Sequence, residues 1–267
     1  MDFIRPIDPA RAQPIGREGA HVQVLSYMEA GVFVAGTIEA GSSEEGLHYH
    51  LSDQFYFVRS GALAVRLGDD VHHVGPRSLV HIPAGTAHCI SGTGTEVLSY
   101  LEMTIPTPSP IEPTGYPVAS ADDSPFQDRA TIRGSIAVID SNNLREPFPG
   151  YRVKALADPA MGIERTVVNY AEIDAGRKGP DWHIHEFDQY YFGLDGEMTV
   201  DVGLQHHVVG TGALVVLPAG VPHRSYNAGT AMQAHLVVLA PAPAAGKPWF
   251  VEIAPVRANE VGSLTPR

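Results

Sequence analysis

Two short runs carry most of the candidate chemistry in this chain. The first is His48-Tyr49-His50 followed by Gln54, and the second is His183-Ile184-His185 followed by Gln189. A further histidine comes after a Pro-Ala-Gly turn in each case, at His88 and His223. Alternate side chains of a strand share one face, so both imidazoles of an H-x-H can reach one ion. Three imidazoles and an amide oxygen, with room left for water, describe an open divalent-metal site. One ion per run is expected, and Fe(II), Mn(II), Co(II), Ni(II) and Zn(II) all suit such donors. A carboxylate in place of the glutamine would cancel part of the metal charge and could take a proton, whereas a neutral amide does neither. The ion then keeps its full charge, which favours chelation of a keto-acid, enol or diketone and stabilisation of an enolate. A base must come from elsewhere. The candidates are a hydroxide on the metal, Tyr56 or Tyr191 as a phenol relay, and His235. Both tyrosines also suit plain core packing, and His235 suits plain filling of a barrel.

The strands that position these residues occur twice. Residues 39–61 and 174–196 align without a gap, and every matched residue of the second copy lies 135 positions after its counterpart. The offset holds for Gly75 and Gly210, Pro83 and Pro218, and Gly85 and Gly220. Within each copy the apolar pattern is period two, as in Leu63–Leu67 and Met198–Leu204, and short apolar strands 78–82 and 213–217 end at the Pro-Ala-Gly turns. Each copy therefore predicts a small antiparallel sandwich or barrel, and the fold class is all-β. The expected division is 1–103 for the first barrel, 104–130 for a linker lying along a domain surface, 131–245 for the second barrel and 246–267 for a docked tail. Trp249, Phe250 and Ile253 are the expected docking residues of that tail, and residues 144–161 could hold a helical turn or two.

Composition narrows the function. The chain carries 27 Gly and 22 Pro in 267 residues, suited to strands joined by tight turns. A net charge of −12 argues against tracking a phosphate backbone, so nucleic acid is not an expected partner. No stretch is apolar enough to span a membrane, and the N-terminal residues lack the apolar core of a signal peptide, so a cytoplasmic protein is expected. Cys89 is the sole cysteine, which excludes an internal disulfide and a thiolate metal site. Beside His88 it should point away from the metal as an inert core thiol. His72, His73, His206 and His207 fall in or beside turns and should be solvated. Arg66 could meet a substrate carboxylate or be a plain surface charge. Barrel edges free to pair would allow a homo-oligomer.

Residues 212–227, GALVVLPAGVPHRSYN, and the two H-x-H-x3-Q-x6-G runs resemble the motifs of the cupin superfamily. The second cupin motif is complete in the C-terminal copy, while the N-terminal copy has Gly92 where asparagine is usual. The chain thus looks like a bicupin with two tandem jelly-roll (double-stranded β-helix) barrels. Glutamine in place of the usual glutamate ligand in both halves is similar to the bicupin isomerase of bacilysin biosynthesis. The resemblance implies a metal-dependent enzyme acting on a small-molecule substrate, by isomerase, cyclase or lyase chemistry through a metal-stabilised enolate. A non-haem dioxygenase cleaving a ring or diketone is the alternative, and a non-catalytic metal- or ligand-binding cupin is a third reading.

Overall fold

The computed structural model describes residues 2–16, 18–43, 46–124 and 135–253. Among them there is no α-helix, only short 3-10 turns, and the period-two segments form antiparallel strands. Each half pairs a seven-stranded sheet with a five-stranded one. Strand Asp53–Ser60 shows how the layers arise from alternation. Tyr56 and Val58 join the cluster inside the N-terminal barrel, whereas Phe55 and Phe57 face the opposite way. Asp188–Asp195 repeats this, with Tyr191 inward and Tyr190 and Phe192 outward.

The outward residues of the two seven-stranded sheets meet in one buried cluster containing Phe33, Phe55, Phe57, Leu101, Tyr170, Tyr190, Phe192 and Leu236. The Phe33 and Tyr190 rings lie 4.1 Å apart, so the barrels are joined by a core and not by a polar contact. At its border Arg77 donates to the Tyr170 hydroxyl at 2.8 Å and reaches Asp195 at 3.2 Å. Arg77 adopts φ 61°, the left-handed conformation that Gly212 adopts at the equivalent place with φ 77°. The backbone strain is compensated by these contacts with the other barrel.

Strand pairing crosses the boundaries expected at 103 and 131. Ile4–Pro6 lies on the C-terminal barrel, with Ile4 opposite Val215, and Ser135–Val138 lies on the N-terminal barrel, with Ile136 opposite Val80. Each barrel thus lends the other an edge strand. Residues 144–161 form no α-helix but strands Arg145–Phe148 and Tyr151–Ala157 followed by a 3-10 turn at Pro159–Met161, because Pro147, Pro149 and the Gly150 turn interrupt any helical run. His72 and His73 sit in strand Asp70–Val74, and His206 and His207 in Gln205–Val209, each strand directly following a turn. Of these, the exposed His206 ring pairs with Asp201 at 2.8 Å.

The segments expected to be a linker and a tail repeat one another. Ile105-Pro106 and Ala240-Pro241 are both cis and stand at the same offset as the ligands. Beyond them, Tyr116–Pro117 pairs with His48–Tyr49, and Val251–Glu252 pairs with His183–Ile184. Each barrel therefore ends in a strap that returns over its own H-x-H strand. The last fourteen positions of the expected tail lie outside the described residues.

Candidate metal centres

Each H-x-H strand is two residues long and pairs with the strand bearing the third histidine, so His48 lies opposite His88 and His183 opposite His223. The ligand atoms of His48, His50 and His88 lie within 4.8 Å of one another, as do those of His183, His185 and His223. All six rings are oriented the same way. His48, His88, His183, His185 and His223 donate from Nδ1 to the carbonyls of Gly46, Thr86, Asp181, Phe187 and Val221 at 2.6–2.9 Å. His50 donates in the same sense to Thr114 of the linker strap. A ring held through Nδ1–H presents the Nε2 lone pair to the shared centre, the orientation that metal-binding histidines require.

Burial favours the neutral form of four of these rings. It is the main cause that lowers His50 to about 4 and His223 to about 3, with neighbouring histidines adding to the effect. His88 and His183 are lowered in the same way. In the C-terminal barrel Gln189 Oε1 completes the set, 2.9 Å from His185 Nε2 and 2.8 Å from His223 Nε2. Lone pairs converging with no proton between them form a donor set that fits a divalent cation. The N-terminal centre gives the same indication, since the Nε2 atoms of His50 and His88 are buried with no hydrogen-bond partner.

The two glutamines are nonetheless held differently. Gln54 turns its amide nitrogen to Glu102 Oε1 at 3.0 Å, and Thr104 donates to the same oxygen at 3.3 Å. At the positions of Glu102 and Thr104 the C-terminal copy has Val237 and Leu239. Glu102 is a candidate residue that motif reading missed, and a comparison of the copies strand by strand would have exposed it. The aspartates before the glutamines, Asp53 and Asp188, accept from the amides of Ala84 and Ala219 at 2.8 and 3.0 Å, so they fix the Pro-Ala-Gly turns that precede the third histidine. Gly92 replaces asparagine because a Cβ there would meet the Glu39 carbonyl oxygen at 2.8 Å, whereas Asn227 bridges to the carbonyls of Ile173 and Ala231.

Above the C-terminal centre lies a cavity of about 250 Å³ whose walls include Tyr151, Phe187, Tyr191, Val237, Trp249 and Phe250. The Phe250 ring packs on His183 with 5.1 Å between centroids. In the N-terminal copy the strap places Gly115 at that position, where a Cβ would meet the rings of His48 and His50 at 3.2 Å. Backbone closes over the first centre, while aromatic side chains border the second. Among the described residues, no carboxylate lines the C-terminal cavity. Burial raises Tyr151 to about 12 and also raises Tyr191, so both phenols stay protonated and act as donors.

The other candidates fall as follows. Tyr56 is buried in the N-terminal barrel with its hydroxyl 3.5 Å from Gln54 Oε1. His235 is fully buried beside Tyr191, bonded through Nδ1 to Gln233 at 3.1 Å, and is absent from the cavity wall. Its place in the repeat explains it: Tyr100 faces Gly36 across the strands of one barrel and His235 faces Ala171 in the other, two versions of one large-on-small packing pair. Cys89 is half-buried instead of a core thiol, because its strand lies in the five-stranded sheet and its side chain points outward. Arg66 donates to the Gly68 carbonyl at 2.8 Å and reaches Asp69 at 3.4 Å, as a surface residue does.

Burial lowers His235 to about 3, and this has a measurable consequence. The unfolded chain takes up a proton near its ordinary value and the folded chain does not, so this contribution is complete above that value and is lost as pH falls toward 3. Between pH 7 and pH 5 the loss from this one ring is about 2 kcal/mol. His235→Phe should flatten the acid limb of a urea-stability profile by that amount, and an unchanged slope would show that the ring titrates freely.

The cupin domain family matches the chain twice, over residues 35–104 and 169–240. The uncharacterized protein SCO3923 of Streptomyces coelicolor is 32% identical over 84 residues, which are 31% of this chain and 76% of that protein. AerE from Microcystis aeruginosa has a TM-score of 0.65 at 14% identity, over 90% of this chain and 99% of AerE. Bacillus subtilis oxalate decarboxylase, which has Mn(II) centres, gives 0.66 at 14% identity over 99% of this chain and 81% of its own. Vicilin from hazelnut, Corylus avellana, gives 0.63 at 14% identity over 90% and 86%. Likeness at such identities speaks for the fold, and no helix among the described residues is long and apolar enough to cross a membrane. With the family matched in both halves and each half folded as its own barrel, the chain belongs to the cupin superfamily and is a bicupin.

Proposed function

We propose that the protein is a metal-dependent enzyme whose C-terminal barrel acts on a small, oxygenated, enolisable organic substrate. The observation that carries this reading is the neutral Gln189 oxygen set among the Nε2 atoms of His185 and His223, beneath a cavity that no carboxylate of the described residues lines. His183, His185, His223 and Gln189 would hold the ion. A divalent cation there supplies Lewis acidity, which stabilises negative charge on an enolate oxygen. Val153, Val237 and Leu239 exclude water from the reacting atoms, which strengthens every polar contact made inside.

The wall offers proton donors and, among the described residues, no carboxylate base. Among isomerase, cyclase and lyase chemistry, this favours a lyase. When a β-keto acid breaks its bond to the carboxylate carbon, CO2 leaves, the electron pair stays as an enolate, and a donor must protonate the carbon afterwards. Tyr191 is that donor, held protonated by its burial, and it regains a proton from solvent when the product leaves.

Screening β-keto acids should reveal turnover without oxygen, with deuterium from D2O retained on the product carbon. Tyr191→Phe should lower kcat by about 10²-fold or more while the metal content stays unchanged. Stoichiometric oxygen consumption would replace this reading with a dioxygenase.

A further inference from the structure

The cavity does not end at the barrel mouth. Phe148 and Pro180 also line a neighbouring groove of about 630 Å³, whose other walls include Arg177, Lys178, Arg224 and Tyr226. Among the described residues, three basic side chains border this groove and no acidic one does.

The fold does not require these cations. The bridge between Lys178 and Tyr226 recurs in the N-terminal copy as Ser43 with Ser91. There the residues matching Arg177-Lys178-Gly179-Pro180 are Ser42-Ser43-Glu44-Glu45, and Cys89 stands for Arg224. The same bridge is thus built once between two serines and once with a lysine. The difference belongs to something outside the backbone.

The groove is also organised to hold a charge in place. Arg224 has its guanidinium carbon 5.1 Å from the ring centres of both Trp182 and Tyr226, and its Nε donates to Asp201 at 2.8 Å. Lys178 is tethered to Asp181 at 2.5 Å. Arg224 Nη1 also lies 3.8 Å from Asp181 Oδ1. Such tethers fix direction, and the hydrogens that Asp181 and Asp201 do not engage are left for a ligand. Arg177 is exposed, with its stem packed beside Gly150.

We propose that this groove is an anion-binding subsite, and that the ligand of the C-terminal barrel is an extended molecule with a phosphate or carboxylate tail lying there. Placing the oxygenated head in the cavity rests on the function proposed above; the groove itself does not. A cavity of about 250 Å³ admits only a small reacting head, and the adjoining groove receives the remainder.

The test is calorimetric titration of the full chain, at low ionic strength, with inorganic pyrophosphate and separately with succinate. One equivalent of at least one anion should bind, and the tighter of the two identifies the tail. Arg177→Gln combined with Lys178→Gln should weaken binding by about tenfold or more, and both positions are exposed, so the fold is spared. His183→Ala should leave binding unchanged. Absence of binding by either anion, or equal binding by the double variant, overturns the subsite. Loss of binding in His183→Ala does the same, by moving the anion into the cavity. Anion binding without any turnover would overturn the proposed activity and leave the groove standing.

Discussion

Replacing His183 with alanine should strip the C-terminal centre of its ion while leaving the N-terminal one filled. The ring has no substitute nearby: its Nδ1–H is fixed on the Asp181 carbonyl at 2.6 Å and its face is covered by Phe250. Removing even a residue that only orients a ligand costs about 10–100-fold in metal affinity, so losing one of three imidazoles should exceed tenfold. Metal analysis of protein purified without added metal should fall by one equivalent per chain, with the matching loss from His48→Ala in the other barrel. Activity should vanish with the first change and survive the second if the aromatic cavity is where substrate enters. Two equivalents retained by both variants would refute the assignment of these histidines.

The largest effect on stability is expected from Phe33→Ala. Phe33 is fully buried in the cluster joining the barrels, with Tyr190 of the other half 4.1 Å away. Truncating such a ring costs about 3–5 kcal/mol, a large share of the ~5–15 kcal/mol by which proteins are stable. Because the lost contact spans both halves, unfolding by urea should shift together for probes in either barrel. A variant in which only the N-terminal barrel became labile would show that the halves are independent units.

The two histidine clusters and the barrel fold were legible because each depends on local pattern. Alternation brings His48 and His50 to one face whatever lies elsewhere, and a repeat makes the pattern visible twice. What surrounds the ligands depends on partners distant in the chain. Gln54 and Gln189 look alike in sequence, yet one bonds Glu102 and the other meets two imidazoles, because the facing strand carries Glu102 and Thr104 in one copy and Val237 and Leu239 in the other. The place of His235 in the repeat says nothing of its depth, and its ring is not among the residues lining the cavity. That the linker and the docked tail are two copies of one strap is hidden in sequence, since their shared feature is backbone register over the histidine strands, with Gly115 and Phe250 as unlike as two residues can be. Edge strands of three or four residues such as Ile4–Pro6 are too short to show any period.

The traded edge strands matter while the chain is being made. Ile4–Pro6 leaves the ribosome early but must wait for Ala213–Leu217 before it has a partner. Meanwhile the N-terminal barrel keeps one sheet edge open until Ser135–Val138 has been synthesised. An open edge is a template for pairing with a neighbouring chain. Either half expressed alone would carry such an edge permanently, so a gene cut at the apparent domain border should yield aggregates where the uncut gene yields a folded protein.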